Sequence, residues 1–284
     1  MKIWLIGIFY CIAAPLLGGI LSGLDRKISA RMQGRMGPPV LQPFYDVLKL
    51  IEKESLVVRR SQNFYIAFFL LFVIFTGGLF FTGQDLLLVI FALTLGGIFF
   101  VLAGFKASSP YSFIGAQREL LQMMAYEPAV ILAAVGMYVV TKSFAVSAIV
   151  QYNKLLVVSL PGVLIAFVYI LALKFRKSPF DLSTSHHAHQ ELVKGITTEF
   201  SGRALAMIEV AHWYEHAFIL GFVYLFFAAN PLLALSATLA VFFFVILIDN
   251  VFARAKWEIT LFSSWAVAVV FGFGNLAVLM YLGK

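Results

Sequence analysis

One cysteine, Cys11, stands in 284 residues, and it lies inside an apolar run. No disulfide can form within the chain, and a cysteine-ligated iron–sulfur cluster, which needs about four thiolates, is excluded. Charge is nearly as scarce. Only 12% of residues are charged, against about 25% in a soluble domain. No soluble domain of useful size fits between the apolar runs. The acids number 14 against 21 Lys and Arg, a net charge of +7. That surplus sits mostly in loops, where it encodes membrane topology before partners, so nucleic-acid binding is a poor reading.

What the chain has in plenty is apolar side chains: 62% of residues are hydrophobic and the mean hydropathy is +0.94. Runs of about 18 residues or more recur, the length a helix needs to cross a bilayer. Eight spans are expected, at 3–24, 64–81, 86–105, 113–141, 156–175, 203–229, 231–249 and 257–282. The runs do not alternate as barrel strands would, and unpaired backbone is too costly in lipid, which leaves helices. The first run has only Lys2 before it and Pro15 within it, and its basic flank follows it, so a retained helix is expected. The fold class is thus an all-α membrane protein of eight transmembrane helices, a single polytopic domain over 1–284.

Lys and Arg set the orientation. Seventeen of the 21 fall in the loops at about 25–63, 106–112, 176–202 and 250–256 or just beside them, and only Lys2, Lys142, Lys154 and Lys284 fall opposite. These loops are expected in the cytoplasm, with both termini on the extracytoplasmic side of the cell membrane. In the first loop Phe44, Val47, Leu48 and Ile51 recur at helical spacing, which predicts an amphipathic helix lying at the interface. Gly37-Pro38-Pro39 ahead of it makes a rigid bend.

Three clusters carry candidate chemistry. The stretch 177–203 is as polar as its flanks are apolar, and it holds His186, His187, His189, Asp181, Glu191 and Glu199. The fourth span carries Glu127 near its middle, where a charge costs about 2.5–3.5 kcal/mol on insertion scales. Pro128 follows it and is expected to loosen or kink the helix. Glu119, eight residues earlier, lies about 12 Å along the axis and about 80° around it, so the two acids are expected to line one polar path. Arg118 is the expected ionic partner of Glu119. The sixth span carries Glu209, His212, Glu215 and His216; the first, second and fourth share one face, and Glu215 points off it by roughly 120°.

His212-Trp213-Tyr214-Glu215-His216 also fits the H-x-x-E-H pattern of one zinc-peptidase class, with two histidines as ligands and a glutamate as base. The histidines of the polar stretch likewise allow a metal reading. A solvated or hydrogen-bonded loop is the commoner role of such histidines, and no metal site is assigned.

Several motifs at ordered separations carry a resemblance. They are Arg35-Met36-Gly37-Pro38-Pro39-Val40-Leu41-Gln42-Pro43; Ile114-Gly115-Ala116-Gln117-Arg118-Glu119 with Tyr126-Glu127; Pro179-Phe180-Asp181-Leu182; and Glu191-Leu192-Val193 through Thr198-Glu199-Phe200-Ser201-Gly202. Over nearly its whole length the chain resembles the NuoH family, the membrane subunit beside the quinone site of respiratory complex I. It departs at the interval Ser183 to Gln190, where complex I members carry a short acidic string and this chain carries histidines. Two carboxylates expected near the quinone end are missing. In the sixth span the family's glutamate would fall near His212, with Glu209 and Glu215 a turn to either side. These departures resemble the corresponding subunit of the Ech and Mbh type energy-converting nickel–iron hydrogenases.

The resemblance implies a non-redox membrane-anchor and coupling subunit with no catalytic centre of its own. The nickel–iron centre and iron–sulfur clusters would sit in partners: hydrogenase large and small subunits and a ferredoxin-like iron–sulfur subunit, beside antiporter-like membrane subunits. Glu119, Glu127, Glu209 and Glu215, with His212 and His216, would form a proton path. Arg35, Asp181, the three loop histidines, Glu191 and Glu199 would form the interface with the redox arm. A quinone-site subunit of a complex I-like oxidoreductase and an intramembrane zinc peptidase are the alternatives.

Overall fold

The computed structural model describes residues 2–55, 60–184, 192 and 194–282. Its helices are α1 (Lys2–Met32), α2 (Gln42–Glu52), α3 (Arg60–Phe81), α4 (Leu86–Lys106), α5 (Pro110–Thr141), the short α6 (Val146–Val150) and α7 (Leu156–Ser159), α8 (Pro161–Lys174), α9 (Gly202–Leu225), α10 (Pro231–Val251), α11 (Trp257–Val267) and α12 (Gly274–Tyr281). A π-helical stretch, Ala268–Phe273, joins α11 to α12 in one rod. Among the described residues the only β pairing is one bridge between Asp85 and Ala145. The chain is an all-α, multi-pass membrane protein.

Proline and a few side-chain caps set where the helices begin. Pro43, Pro110, Pro161 and Pro231 open α2, α5, α8 and α10, positions where the missing N–H costs nothing. Asp85 caps α4 by accepting from the Leu87 and Leu88 amides, and Asn230 caps α10 through the Leu233 amide.

Among the described residues six helices are long and apolar enough to cross a membrane: α1, α3, α4, α5, α10 and the α11–α12 rod. The other two expected spans fall short for different reasons. The run 156–175 breaks at Pro161, which leaves α8 only 14 residues, about 21 Å of helix against a hydrocarbon core of about 30 Å. Helix α9 is 24 residues long, but Glu209, His212, Glu215 and His216 dilute its apolarity.

The two prolines inside helices break neither one. Proline at position i leaves the carbonyl at i−4 without its helical donor. In α1 the carbonyl of Cys11, four before Pro15, accepts from Tyr214 Oη at 2.6 Å. In α5 the carbonyl of Met124, four before Pro128, accepts from Trp265 Nε1 at 3.1 Å. Each orphaned acceptor is satisfied from a neighbouring helix, so each proline becomes a joint that fixes which helix packs there.

Helix α9 is the hub, packing on α1, α2, α3 and α10. At Gly18 a Cβ would lie 2.2 Å from the Trp213 carbonyl oxygen, so only glycine lets α1 come this close. Helix α2 splits the apolar face expected for it. Pro43 and Val47 are buried and the Phe44 ring lies 5.0 Å from the Trp213 ring, while Leu41, Tyr45, Leu48 and Ile51 are exposed.

Candidate functional site: a buried ion network beside a polar cavity

The polar stretch is not a plain solvated connector. Phe180, Asp181, Leu182, Ser183 and Thr184 are buried. The stretch enters the bundle through the end of α8. The Arg176 amide bonds to the Leu173 carbonyl at 3.0 Å and the Lys177 amide to the Ala172 carbonyl at 2.9 Å, the paired bonds of a Schellman cap. That cap needs a left-handed residue, usually glycine, and here it is Arg176 at φ 51°. A left-handed non-glycine residue costs roughly 1–2 kcal/mol. The conformation turns the guanidinium back into the bundle.

There it bridges two membrane carboxylates. Arg176 Nη2 lies 2.7 Å from Glu119 Oε1 and its Nε 3.3 Å from Oε2, a two-pronged pair. Its Nη1 lies 3.4 Å from Glu215 Oε2. Lys174 Nζ reaches Glu215 Oε1 at 3.5 Å and stands 4.4 Å from the Tyr126 ring centre. Ser183 Oγ donates to Glu119 Oε2 in a short hydrogen bond, and Gln122 Nε2 donates to the Phe180 carbonyl. Glu119 and Glu215 are only 5% and 3% exposed. Two acids and two cations thus share one largely buried, neutral network. Desolvation of such a set rivals its mutual attraction, so the network is weak as a stability device. The 195–197 turn locks over it, and Gly115 admits that turn because a Cβ there would meet the Ile196 amide nitrogen at 2.2 Å.

On the next residue a second ion set ties three elements. Lys177 Nζ lies 2.5 Å from Asp25 of α1 and 3.0 Å from Asp249 of α10, and the Ser178 amide donates to Asp249 at 2.9 Å. Burial alone would lower the Lys177 pKa; the two aspartates outweigh it and hold the ammonium above its usual value. Asp181, 5% exposed, pairs with Arg254 at 3.6 Å.

Between these sets lies a cavity of about 780 Å³, lined by Asp25, Arg26, Arg35, Arg176, Lys177, Asp181, Glu209, His212, Trp213, His216 and Asp249 among others. Gly37 and Pro38 edge it. Small-molecule pockets are mostly apolar with a few polar groups; this one is charged on most sides, which does not favour a quinone.

The chain matches the NADH dehydrogenase family over residues 4–280. It belongs to that family. It is 30% identical over 293 residues to a subunit of the NADH-quinone oxidoreductase of Syntrophotalea carbinolica, spanning 89% of this chain and 88% of the relative. It is 34% identical over 212 residues to the corresponding protein of Orientia tsutsugamushi, spanning 66% of this chain but only 58% of the relative. It is 29% identical over 209 residues to hydrogenase-4 component C of Escherichia coli, spanning 68% and 65%. The fold is similar, at TM-score 0.84 and 25% identity, to a chain in the archaeal membrane-bound sulfane sulfur reductase, a respiratory membrane complex, covering 97% of this chain and 100% of that one. These relatives bear out the resemblance to a NuoH-like subunit of the Ech and Mbh type.

Within this family fold the expected residues separate into groups. Glu209, His212 and His216 share the cavity wall, and Glu215 points away to Lys174 and Arg176, as their helical spacing predicts. Glu119 is held by Arg176 in the place expected for Arg118. Glu127 is not among the ion pairs that hold Glu119. It is half-buried two turns on, outside both ion sets, and its Oε1 is buried without a hydrogen-bond partner. Arg35 is exposed, donates to Gln33 and edges the cavity. Glu199 is half-buried in the turn ahead of α9. His186, His187, His189 and Glu191 lie outside the described residues. Among the described residues no three His, Cys, Asp or Glu side chains come together as a metal site, and no peptidase stands among the relatives above, so the peptidase alternative is not favoured.

Sequence reasoning missed Lys174, Arg176, Lys177, Ser183, Asp25 and Asp249. The three cations read as topogenic charge. The available signal was that they end an apolar span in a chain whose other spans carry unexplained acids.

Proposed function

We propose that this chain is the membrane-anchor and coupling subunit of an energy-converting, ferredoxin-dependent hydrogenase complex, linking H2 chemistry in a peripheral arm to H+ or Na+ movement in the membrane. One observation carries the reading: Arg176, which holds the Glu119–Arg176–Glu215–Lys174 network together, also lines the charged cavity and so joins the two. Adding or removing one charge in the cavity unbalances a network that spans α5, α8 and α9. A redox step that takes up a proton is such an event. In this reading α8 with α7, and α9, complete eight crossings, α2 lies at the interface, and both termini face outward.

Glu209, His212 and His216 would pass protons along the cavity, and Glu127 would receive them at mid-membrane. Asp181, Arg35, Glu199, Glu191 and the three loop histidines would form the arm junction; imidazoles, with an unperturbed pKa of about 6.5, change charge near neutrality. The chain itself would hold no cofactor. The nickel–iron centre and iron–sulfur clusters would belong to the hydrogenase large and small subunits and a ferredoxin-like subunit, beside antiporter-like neighbours. The fold shared with the sulfane sulfur reductase chain supports a second reading, the same subunit in a sulfur-reducing complex.

Purification through a tag on this chain tests both. Copurifying subunits that contain nickel and evolve H2 with reduced ferredoxin support the hydrogenase; a nickel-free complex that reduces polysulfide supports the other. Replacing the three loop histidines by glutamine with no change in H2 output or ion gradient would remove their proposed role.

A further inference from the structure

Apart from the large cavity, a pocket of about 380 Å³ opens where α5, the buried loop and the start of α11 meet. Arg118, Arg254 and Lys256 line it, with Glu258 the single carboxylate among the described residues and Trp257 and Leu182 as the apolar wall. Arg254 is fixed at that wall by Asp181 at 3.6 Å and by the Leu182 carbonyl at 3.5 Å.

Below the pocket the surface changes character. Helices α5 and α11 run side by side into the apolar zone, as the Trp265–Met124 hydrogen bond shows. Along their seam Leu120, Met124, Phe262 and Trp265 are 41%, 51%, 78% and 47% exposed. A cationic pocket thus sits at the head of an exposed apolar groove. A soluble anion has no use for the groove, and a water-borne protein cannot follow it into the bilayer. An amphiphile with an anionic head matches both parts.

We propose that this pocket binds the phosphate headgroup of an anionic membrane phospholipid whose acyl chains lie along the α5–α11 seam. Basic pockets between membrane helices are the usual seat of such headgroups, and charge-assisted bonds to phosphate are strong. The proposal stands apart from the redox reading above.

The test is native mass spectrometry of the full chain equilibrated in detergent with equal amounts of phosphatidylglycerol and phosphatidylcholine. The wild type is expected to retain phosphatidylglycerol preferentially. Arg118→Gln and Lys256→Gln each lower that preference, by about five-fold per cation. Lys256→Arg keeps it, and Glu258→Gln raises it. This last variant keeps the test decisive if Arg118→Gln and Lys256→Gln fail to fold. Equal retention of both lipids by the wild type, or a preference untouched by these substitutions, overturns the proposal. So does displacement of the lipid by millimolar inorganic phosphate, which marks a soluble-anion site. Loss of copurifying subunits from Lys256→Gln with lipid preference intact also overturns it, in favour of a protein contact.

Discussion

Helix α5 carries two membrane carboxylates, and the fold treats them in opposite ways. Glu119 receives two prongs from Arg176 and a hydroxyl from Ser183. Glu127, two turns deeper, keeps one buried oxygen without a hydrogen-bond partner next to a proline whose joint is closed from α11. One acid is locked into a neutral set, and the other stands outside it. The difference teaches that an acid in a membrane span is not a role by itself. Whether it stores structure or exchanges a proton depends on what a distant loop brings to it.

Removing the shared cation is the strongest way to break the comparison. Arg176→Met strands the Glu119 carboxylate and leaves Glu215 to Lys174 alone, and is expected to cost about 3–5 kcal/mol, read as a lower unfolding midpoint in detergent and failed assembly. A midpoint equal to wild type would show that Glu119 is no more committed than Glu127. Next, Trp265→Phe reopens the Met124 carbonyl beside Pro128 and is expected to cost about 1–3 kcal/mol; Tyr214→Phe does the same at Cys11. Glutamine at the two acids sharpens the contrast directly. Glu119→Gln disturbs stability, whereas Glu127→Gln leaves assembly intact yet slows or uncouples ion-linked turnover. Full coupled activity in assembled Glu127→Gln complexes would remove its proposed role.

The smallest effects come from the charges outside the spans. The Lys177 contribution is present below the ordinary lysine pKa of 10.5 and is lost as pH rises through its raised folded value. Asp249→Asn shrinks that alkaline loss. For Asp46, burial alone would raise the pKa; the Gln42 and Arg26 contacts outweigh it and lower it. Its contribution is present above 3.8 and is lost as pH falls through the lowered value. Arg26 and Asp46 are 41% and 39% exposed, so screening holds this pair to about 0–1 kcal/mol. Acid and alkaline unfolding scans of Arg26→Gln and Asp249→Asn check both signs.

Much of the fold was legible because its cause is local. Apolar length announces a membrane helix, proline at a helix start marks a boundary, and the spacing of Glu209, His212, Glu215 and His216 fixed which of them share a face. The partner of Glu119 was not legible. Arg118 adjoins it in sequence, but adjacent helical residues point about 100° apart, and the true partner is 57 residues away.

The chain alone thus determined the solvent it lives in, the helical class, its family and which acids fall inside the α5 and α9 runs, since each follows from composition, periodicity or motifs read along one dimension. Only the tertiary structure decided which acids are neutralised, where the charged cavity lies and why two mid-helix prolines are harmless. Those outcomes depend on groups from separate helices meeting within about 3 Å, and no one-dimensional pattern encodes such a meeting.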